Sequence, residues 1–370
     1  MNHCPDLHGL MARMGVISFS FLQACGCSMK KSTGVTLIEV AKKAGVARMT
    51  ASRALSGDGY ITEETKAKVL AAAAELGYTP NALARAMKGG RTNVIGAVVN
   101  DLASTVINAY VTELSAEVRR HHMDLFIYNA VDDFSLANGQ RLDQLLNGLW
   151  DGLIYVMPRM SDEYLAMLEQ SSRPVVLINY CKQVTGLPVI NGDNFNGARD
   201  ATHHLIDLGH RRIAFIRGFG YTGQSEERER GYRAALDDAG IVFDPELVQQ
   251  GDFSLLSGAE ATERLLGMAN RPTAIFAAND EMAAGSMQVL QAAGLTLPQQ
   301  VSLIGFDDAP IASFVQPKIT TLRHPIGAMA KAAVQELLLR INNEPGRRQR
   351  VEFPSEFLVR ESTAAAPPHP

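Results

Sequence analysis

Two sets of residues in this chain have types and spacing that suggest chemistry. The first is compact. Arg48, Met49, Thr50, Ser52 and Arg53 fall within six positions. A guanidinium can bond a guanine edge through two hydrogen bonds, hydroxyls can reach bases or phosphates, and a methionine can touch a thymine methyl. The second set is dispersed. Asp101, Asn179, Asn279 and Asp307 stand at or just beyond the ends of apolar runs, and Arg159 follows another run at Val156-Met157-Pro158. Loops at such strand ends hold the ligands of open α/β sheets. Arg228 opens a helical stretch after the Gly218–Gly223 loop and offers a rigid fork of donors.

Other motifs carry less. Gly218-Phe219-Gly220-Tyr221-Thr222-Gly223 matches GxGxxG, but it lies mid-chain and Glu226-Glu227 would repel a pyrophosphate. His203, His204 and His210 do not have the spacing of a zinc ligand set. No Ser/His/Asp or paired-carboxylate arrangement stands out. The chain is therefore expected to need no cofactor or metal and to be no enzyme. A nicotinamide-dependent α/β oxidoreductase is the enzyme reading that the glycine motif keeps open.

The elements that must position these residues follow from periodicity. Thr36 caps a helix whose face carries Leu37, Val40, Ala41 and Ala44, and Gly45 breaks it. A second short helix fits 48–55. A third runs from Thr62 to Leu76 and stops at Gly77. Two short helices joined by Ala44-Gly45-Val46 suit a helix–turn–helix, although a three-helix bundle with a solvated basic face would read the same way. From Asn93 onward, apolar strand-like runs alternate with amphipathic helices. This predicts parallel sheets covered by helices, with too many units for one lobe. The last stretch, 351–359, reads as one strand.

Composition agrees with a soluble two-part protein. With 46% hydrophobic and 20% charged residues it is globular in type, and no apolar stretch is long enough to span a bilayer. The overall charge of -4 conceals a basic segment: 30–91 carries about +6 and the remainder about -10. That places a polyanion at the head alone. Cys181 is the one cysteine beyond the first thirty residues, which fits a reducing cytoplasm. Residues 1–28 contain a short apolar run and Leu22-Gln23-Ala24-Cys25, loosely a lipoprotein cleavage box. We read this stretch as a disordered tail or an upstream extension of a start at Met29. An exported solute-binding lipoprotein anchored at Cys25 is the rival.

Residues 35–87 resemble the head of the lactose and galactose repressor family. Thr36-Leu37, Val40-Ala41, Ala44-Gly45-Val46, Thr50, Ser52-Arg53, Leu55, Val69, Leu76-Gly77-Tyr78, Pro80-Asn81 and Ala84 carry the resemblance. The body is similar to the same family and, more distantly, to periplasmic sugar-binding proteins. Leu208-Gly209-His210-Arg211-Arg212, Ala278-Asn279-Asp280-Glu281 and Gly305-Phe306-Asp307-Asp308 are among the matching stretches. The resemblance implies that the second helix enters the major groove with Arg48, Met49 and Arg53 at base-reading positions. It implies that 81–87, with Asn81, Ala84 and Met87, forms a hinge helix in the minor groove. It also implies an effector cleft between two lobes, with Phe253 as a stacking aromatic. Two positions depart from the pattern: Ala47 replaces a usual serine, and Met87 replaces a usual leucine at the hinge tip.

The expected organisation is an extension at 1–33, a helix–turn–helix domain at 34–79, a hinge and linker at 80–92, and a core at 93–362. A tail occupies 363–370. The first lobe of the core is expected at about 93–190 plus 322–345, and the second at about 191–321 plus 346–362. The expected function is a DNA-binding transcriptional regulator, a repressor controlled by a small effector. That effector is a sugar or glycoside on family grounds, with a nucleobase as the alternative. No C-terminal leucine heptad is evident, so a homodimer on operator DNA, away from any membrane, is expected. Arg53→Ala should cost about 1–3 kcal/mol and relax preference at one base pair. Binding measured on single-base operator variants would show instead a uniform loss if Arg53 only clamps phosphate.

Overall fold

A computed structural model describes residues 35–56, 60–78, 91–130, 135, 140, 148–220, 223–346 and 350–368. The chain divides into two compact units, Met1–Asn81 and Ala82–Pro370. The expected hinge segment with Asn81, Ala84 and Met87, and the extension carrying Cys25, lie outside the described residues.

The first unit holds α1 (Leu37–Ala44), α2 (Arg48–Ser56) and α3 (Glu63–Leu76). Thr36 and Glu39 form a reciprocal capping box at the start of α1. Gly45 closes α1 in the left-handed region at φ 68°, which lets the chain turn into α2 within three residues. The core of this unit comprises Val40, Ala41, Ala51, Ala54, Val69, Ala72 and Ala73, all buried. Small residues at these positions let three short helices pack closely.

The second unit contains two lobes. In the first, β1 (Val94–Val99), β2 (Asp124–Asn129), β3 (Gly152–Val156), β4 (Val175–Ile178), β5 (Val189–Gly192) and β11 (Arg350–Phe353) form a parallel sheet. Its strand order is β11-β5-β4-β3-β1-β2. Helices α4 (Thr105–Arg120) and α11 (Ile326–Ile341) cover one face, where Tyr110, Leu114, Ala333 and Leu337 meet Ile95, Ala97 and Ile154. Helix α5 (Asp162–Gln170) covers the other, with Tyr164 and Leu168 against Leu153 and Leu177. Both faces of the inner strands β1, β3, β4 and β5 are buried, so these strands are almost wholly apolar, whereas the edge strands β2 and β11 carry exposed and half-buried residues.

In the second lobe, β6 (Ile213–Arg217), β7 (Val248–Gln250), β8 (Ala274–Ala277) and β9 (Ser302–Ile304) form a parallel sheet in the order β7-β6-β8-β9. Helices α6 (Asn194–Asp207), α7 (Gln224–Asp238), α8 (Leu255–Leu266) and α9 (Asp280–Ala292) contribute to its single core. The short α10 (Pro310–Phe314) follows β9. Phe215 stands at the centre of this core, stacked on Tyr232 and edge-on to Phe276, each at 5.3 Å between ring centroids.

The chain passes between lobes at 192–194, 323–326 and 353–356. Here the structure differs from the sequence reading. Residues 351–359 are not one strand but two: β11 joins the first sheet, while β12 (Glu356–Leu358) pairs antiparallel with β10 (Thr321–Arg323). Pro354 cannot donate to a ladder, and it separates them. The segment 350–353 therefore sits in the first lobe's sheet rather than in the second lobe, where the sequence reading put it.

Phe215→Ala should lower the unfolding free energy by about 3–5 kcal/mol, as expected for removing a buried ring from a packed core. Urea unfolding would measure it, and a loss under about 1 kcal/mol would mean that the core collapses around the gap.

Candidate functional sites: a recognition helix and an interlobe cleft

Helix α2 buries Ala51 and Ala54 against the other two helices. The same turn directs Arg48, Met49 and Arg53 outward; Met49 is 64% exposed. Thr50 and Ser52 are half-buried at the edge of that face. An exposed methionine between two arginines is costly for a surface with no partner and apt for one that reads base edges. Thr36 sits apart from this face. Its hydroxyl bonds Glu39 Oε2 at 2.9 Å and accepts from the Glu39 amide at 3.4 Å, so the cap occupies it.

In the second unit the carboxyl ends of β1, β3, β6, β7, β8 and β9 open onto one cavity of about 510 Å³ between the lobes. Asp101, Arg159, Arg228, Phe253, Asn279 and Asp307, widely separated in sequence, all line it. Several strand-end residues here have left-handed backbones: Met157 (φ 49°), Phe253 (φ 70°), Asp307 (φ 98°) and Asp308 (φ 52°). A positive φ in a bulky residue costs free energy and persists where the surroundings over-determine it, commonly at ligand sites.

Arg228 is the centre of the cleft floor and is only 3% exposed. Its Nε donates to Asn194 Oδ1 at 2.9 Å and its Nη2 to Asp307 Oδ1 at 2.9 Å, while Nη1 donates to the Ala278 carbonyl. The Phe306 ring lies 3.7 Å beneath the guanidinium carbon. The ion pair with Asp307 and the carbonyl partner offset the cost of taking this charge out of water. Beside it, Asp280 is wholly buried. Burial raises its pKa well above the usual carboxylate range, although Thr321 and the Ala309 amide bond its oxygens at 2.6 and 2.7 Å. His324 faces the same guanidinium, and burial first, then the Arg228 charge, holds its pKa down at about 3.

The aromatic and polar wall is built locally. The Phe253 ring rests on Gly218, where a Cβ would come within 2.2 Å of the ring, so only glycine admits it. Asn279 caps α9, accepting from the Met282 amide at 3.0 Å, and donates to the Phe253 carbonyl at 2.9 Å. Its amide thus holds Phe253 in its strained conformation. Arg159 reaches over the Phe219 ring, 5.4 Å from its centroid, across the cleft. Asp101 accepts from the Ala103 amide at 2.7 Å and is exposed at the rim.

Asn179 stands differently. It does not line the cavity. Its Nδ2 donates to the Tyr110 hydroxyl at 2.9 Å and its Oδ1 accepts from the Gly192 amide at 3.0 Å. It braces the first crossover instead. Phe219, Gln224, Asp252 and Glu281 are among the lining residues to which the sequence reading gave no role, and Asn100 lines the cavity beside Asp101. Asn100 is buried, and its Nδ2 has no partner among the described residues. Its signal was present, since it opens the Asn100-Asp101 pair after β1. Gln224 donates to the Asn179 carbonyl at 2.9 Å, a contact between lobes that no local pattern announces.

The histidines have other partners. His203 meets Asp238, His204 meets Thr363, and His210 meets Thr273, Ser302 and the Ala364 carbonyl, tying the tail to the second lobe. In the glycine motif, Gly218 takes the Phe253 ring and Gly223 packs against the Cys181–Lys182 backbone.

Comparison with known proteins decides the family. Residues 36–81 match the model for bacterial regulatory proteins of the lacI family, and 202–363 match a periplasmic binding protein-like domain. Catabolite control protein A of Priestia megaterium is 31% identical over 339 residues, covering 89% of this chain and 99% of that protein. The chain belongs to the LacI family. Among solved structures, this LacI-family chain is similar to the transcriptional regulator CelR–cellobiose complex (31% identity, 89% and 99% coverage, TM-score 0.68). It is also similar to the lac repressor dimer bound to operator and the anti-inducer ONPF (27% identity, 90% and 99% coverage, TM-score 0.81).

The folded-state pKa of His324 lies below its unfolded value of 6.5. Its contribution to stability is thus present above pH 6.5 and is lost as pH falls towards 3. At pH 5 the loss should reach about 2 kcal/mol. Urea unfolding at pH 7.5 and pH 5 should show this fall in the wild type and a smaller one in His324→Gln. An equal fall in both would assign the proton uptake to other groups, His204 and His210 first.

Proposed function

We propose that this LacI-family chain is a cytoplasmic, homodimeric repressor. On this reading α2 reads a near-palindromic operator, and operator affinity is set by a small uncharged polyol, a sugar or glycoside, in the interlobe cleft. The observation that carries the reading is a pairing within one chain. A helix exposes Arg48, Met49 and Arg53, and a cavity of about 510 Å³ opens at the carboxyl ends of two parallel sheets. Binding and regulation suffice for these features, so no catalytic step is assigned.

The chemistry of the lining favours the effector class. Asp101, Asp252, Glu281 and Asp307 place carboxylates around the cavity against Arg159 and Arg228, and Arg228 is already paired. Such a site accepts hydrogen bonds from hydroxyls and repels phosphate esters and carboxylates. Phe253 offers a flat apolar wall, and CelR supplies a precedent of a relative complexed with cellobiose. A nucleobase could stack on the same ring but would use fewer of the acceptors. The dimer reading has its own support. The edge strand β2 leaves Phe126 and Ile127 at 42% and 39% exposure, unusual for a parallel sheet, and the lac repressor relative is a dimer on its operator.

Selection from a random duplex library with the full chain should recover a near-palindromic site. A thermal-shift screen should show cellobiose or another neutral sugar raising the melting temperature, and Phe253→Ala should abolish that shift. No preference for any duplex, with or without sugar, would overturn the reading. A shift given by adenine or another nucleobase but by no sugar would replace the effector class.

A further inference from the structure

Three segments join the lobes, and one side chain lies where they meet. His324 sits on the second crossover, between β10 and α11, and is buried. Its Nδ1 is 3.0 Å from Ser355 Oγ on the third crossover, and Ser355 Oγ donates to the Asp193 carbonyl on the first at 3.0 Å. The imidazole also lies flat against Gly192, where a Cβ would come within 2.2 Å of Nδ1. On its other edge, Nε2 is 3.5 Å from Arg228 Nη2.

This geometry assigns the tautomer. Arg228 only donates, so His324 Nε2 must present a lone pair to it. The ring proton is then on Nδ1 and donates to Ser355 Oγ, whose own proton goes to the Asp193 carbonyl. The order Arg228 → His324 → Ser355 → Asp193 is a single-direction chain of donors, and every member is fixed by the guanidinium that starts it. The crossovers are bonded to one another as well: the Asp193 amide donates to the Phe353 carbonyl at 2.8 Å.

We propose that His324 is the positioning residue of the hinge, carrying the placement of the Arg228 guanidinium at the cleft floor to all three crossovers at once. The inference rests on the cleft being the effector site as proposed above. A ligand that draws Arg228 or Asp307 towards the cavity alters the acceptor demand on His324 Nε2, and the response reaches the first and third crossovers through Ser355. Asn194, bonded to Arg228 Nε, is a second route to the first crossover only. The Asp307 amide, bonded to the Leu322 carbonyl at 2.8 Å, reaches the second without His324, so His324 is decisive for the third.

Amide hydrogen exchange on the full chain tests this without an effector, in peptides covering 191–194, 323–327 and 353–356. Arg228→Met should raise exchange at all three by at least about fivefold. In a His324→Leu background the same change should add less than about twofold at 353–356, because the link is already cut. In a His324→Gln background, which keeps an acceptor towards Arg228, most of the response should return. An undiminished response at 353–356 in the His324→Leu background, or one confined to α7 and 277–279, would overturn the proposal. Should His324→Leu fail to fold by circular dichroism, Ser355→Ala replaces it, with the loss expected at 353–356 alone. Operator affinity of the same variants on the selected duplex separates the two readings. A wild type with no duplex preference sinks the regulator reading, while the exchange pattern still decides the hinge.

Discussion

A permanently charged guanidinium buried at the junction of two lobes organises the rest of the second unit. The Arg228 guanidinium offers donors and no acceptor, so everything around it must accept from it or stack beneath it. Asp307 supplies the counter-charge, Asn194 and Ala278 supply oxygens, and Phe306 supplies a π face. Burial first, and then this charge, hold His324 neutral, which lets that ring bridge the crossovers with a lone pair on one edge and a proton on the other. The acceptors for this one group come from 194, 278 and 307, so its placement forces three distant parts of the chain into register.

The cleft above it is shaped by strand ends whose backbones are held in costly conformations. Phe253 and Asp307 have positive φ, and each is held by a bond to another segment: the Phe253 carbonyl by Asn279, the Asp307 amide by the Leu322 carbonyl. Strain at ligand-facing loops with support from rigid sheet and helix ends is a way to keep a site preorganised. Asn279 illustrates the economy: one amide caps a helix and holds an aromatic wall.

The first unit works on a different scale. Its core of small and β-branched side chains is modest, as expected for a segment of this size, and local devices support it: a capping box at Thr36 and Glu39 and glycines at the ends of α1 and α3. Such a unit needs only to present a few side chains on one helix face.

What sequence alone determined follows from periodicity and local chemistry. The three helices of the head, their caps and the outward set of α2 are short-range consequences of residue order. So is the alternation of buried strands with amphipathic helices, and with it the placement of Asn279 and Asp307 just beyond strand carboxyl ends; Phe253 was indicated by the family resemblance alone. Which strand-end residue faces the cavity was decided by tertiary structure. Asn179 turns away because Tyr110, sixty-nine positions earlier, takes its amide, whereas the Asn100 nitrogen in the cleft wall has no partner among the described residues. The division of 351–359 between two sheets, and the role of His324, likewise depend on segments far apart in the chain. No local pattern encodes these, because a hydrogen-bond partner and a buried charge exist only once distant residues have been brought together.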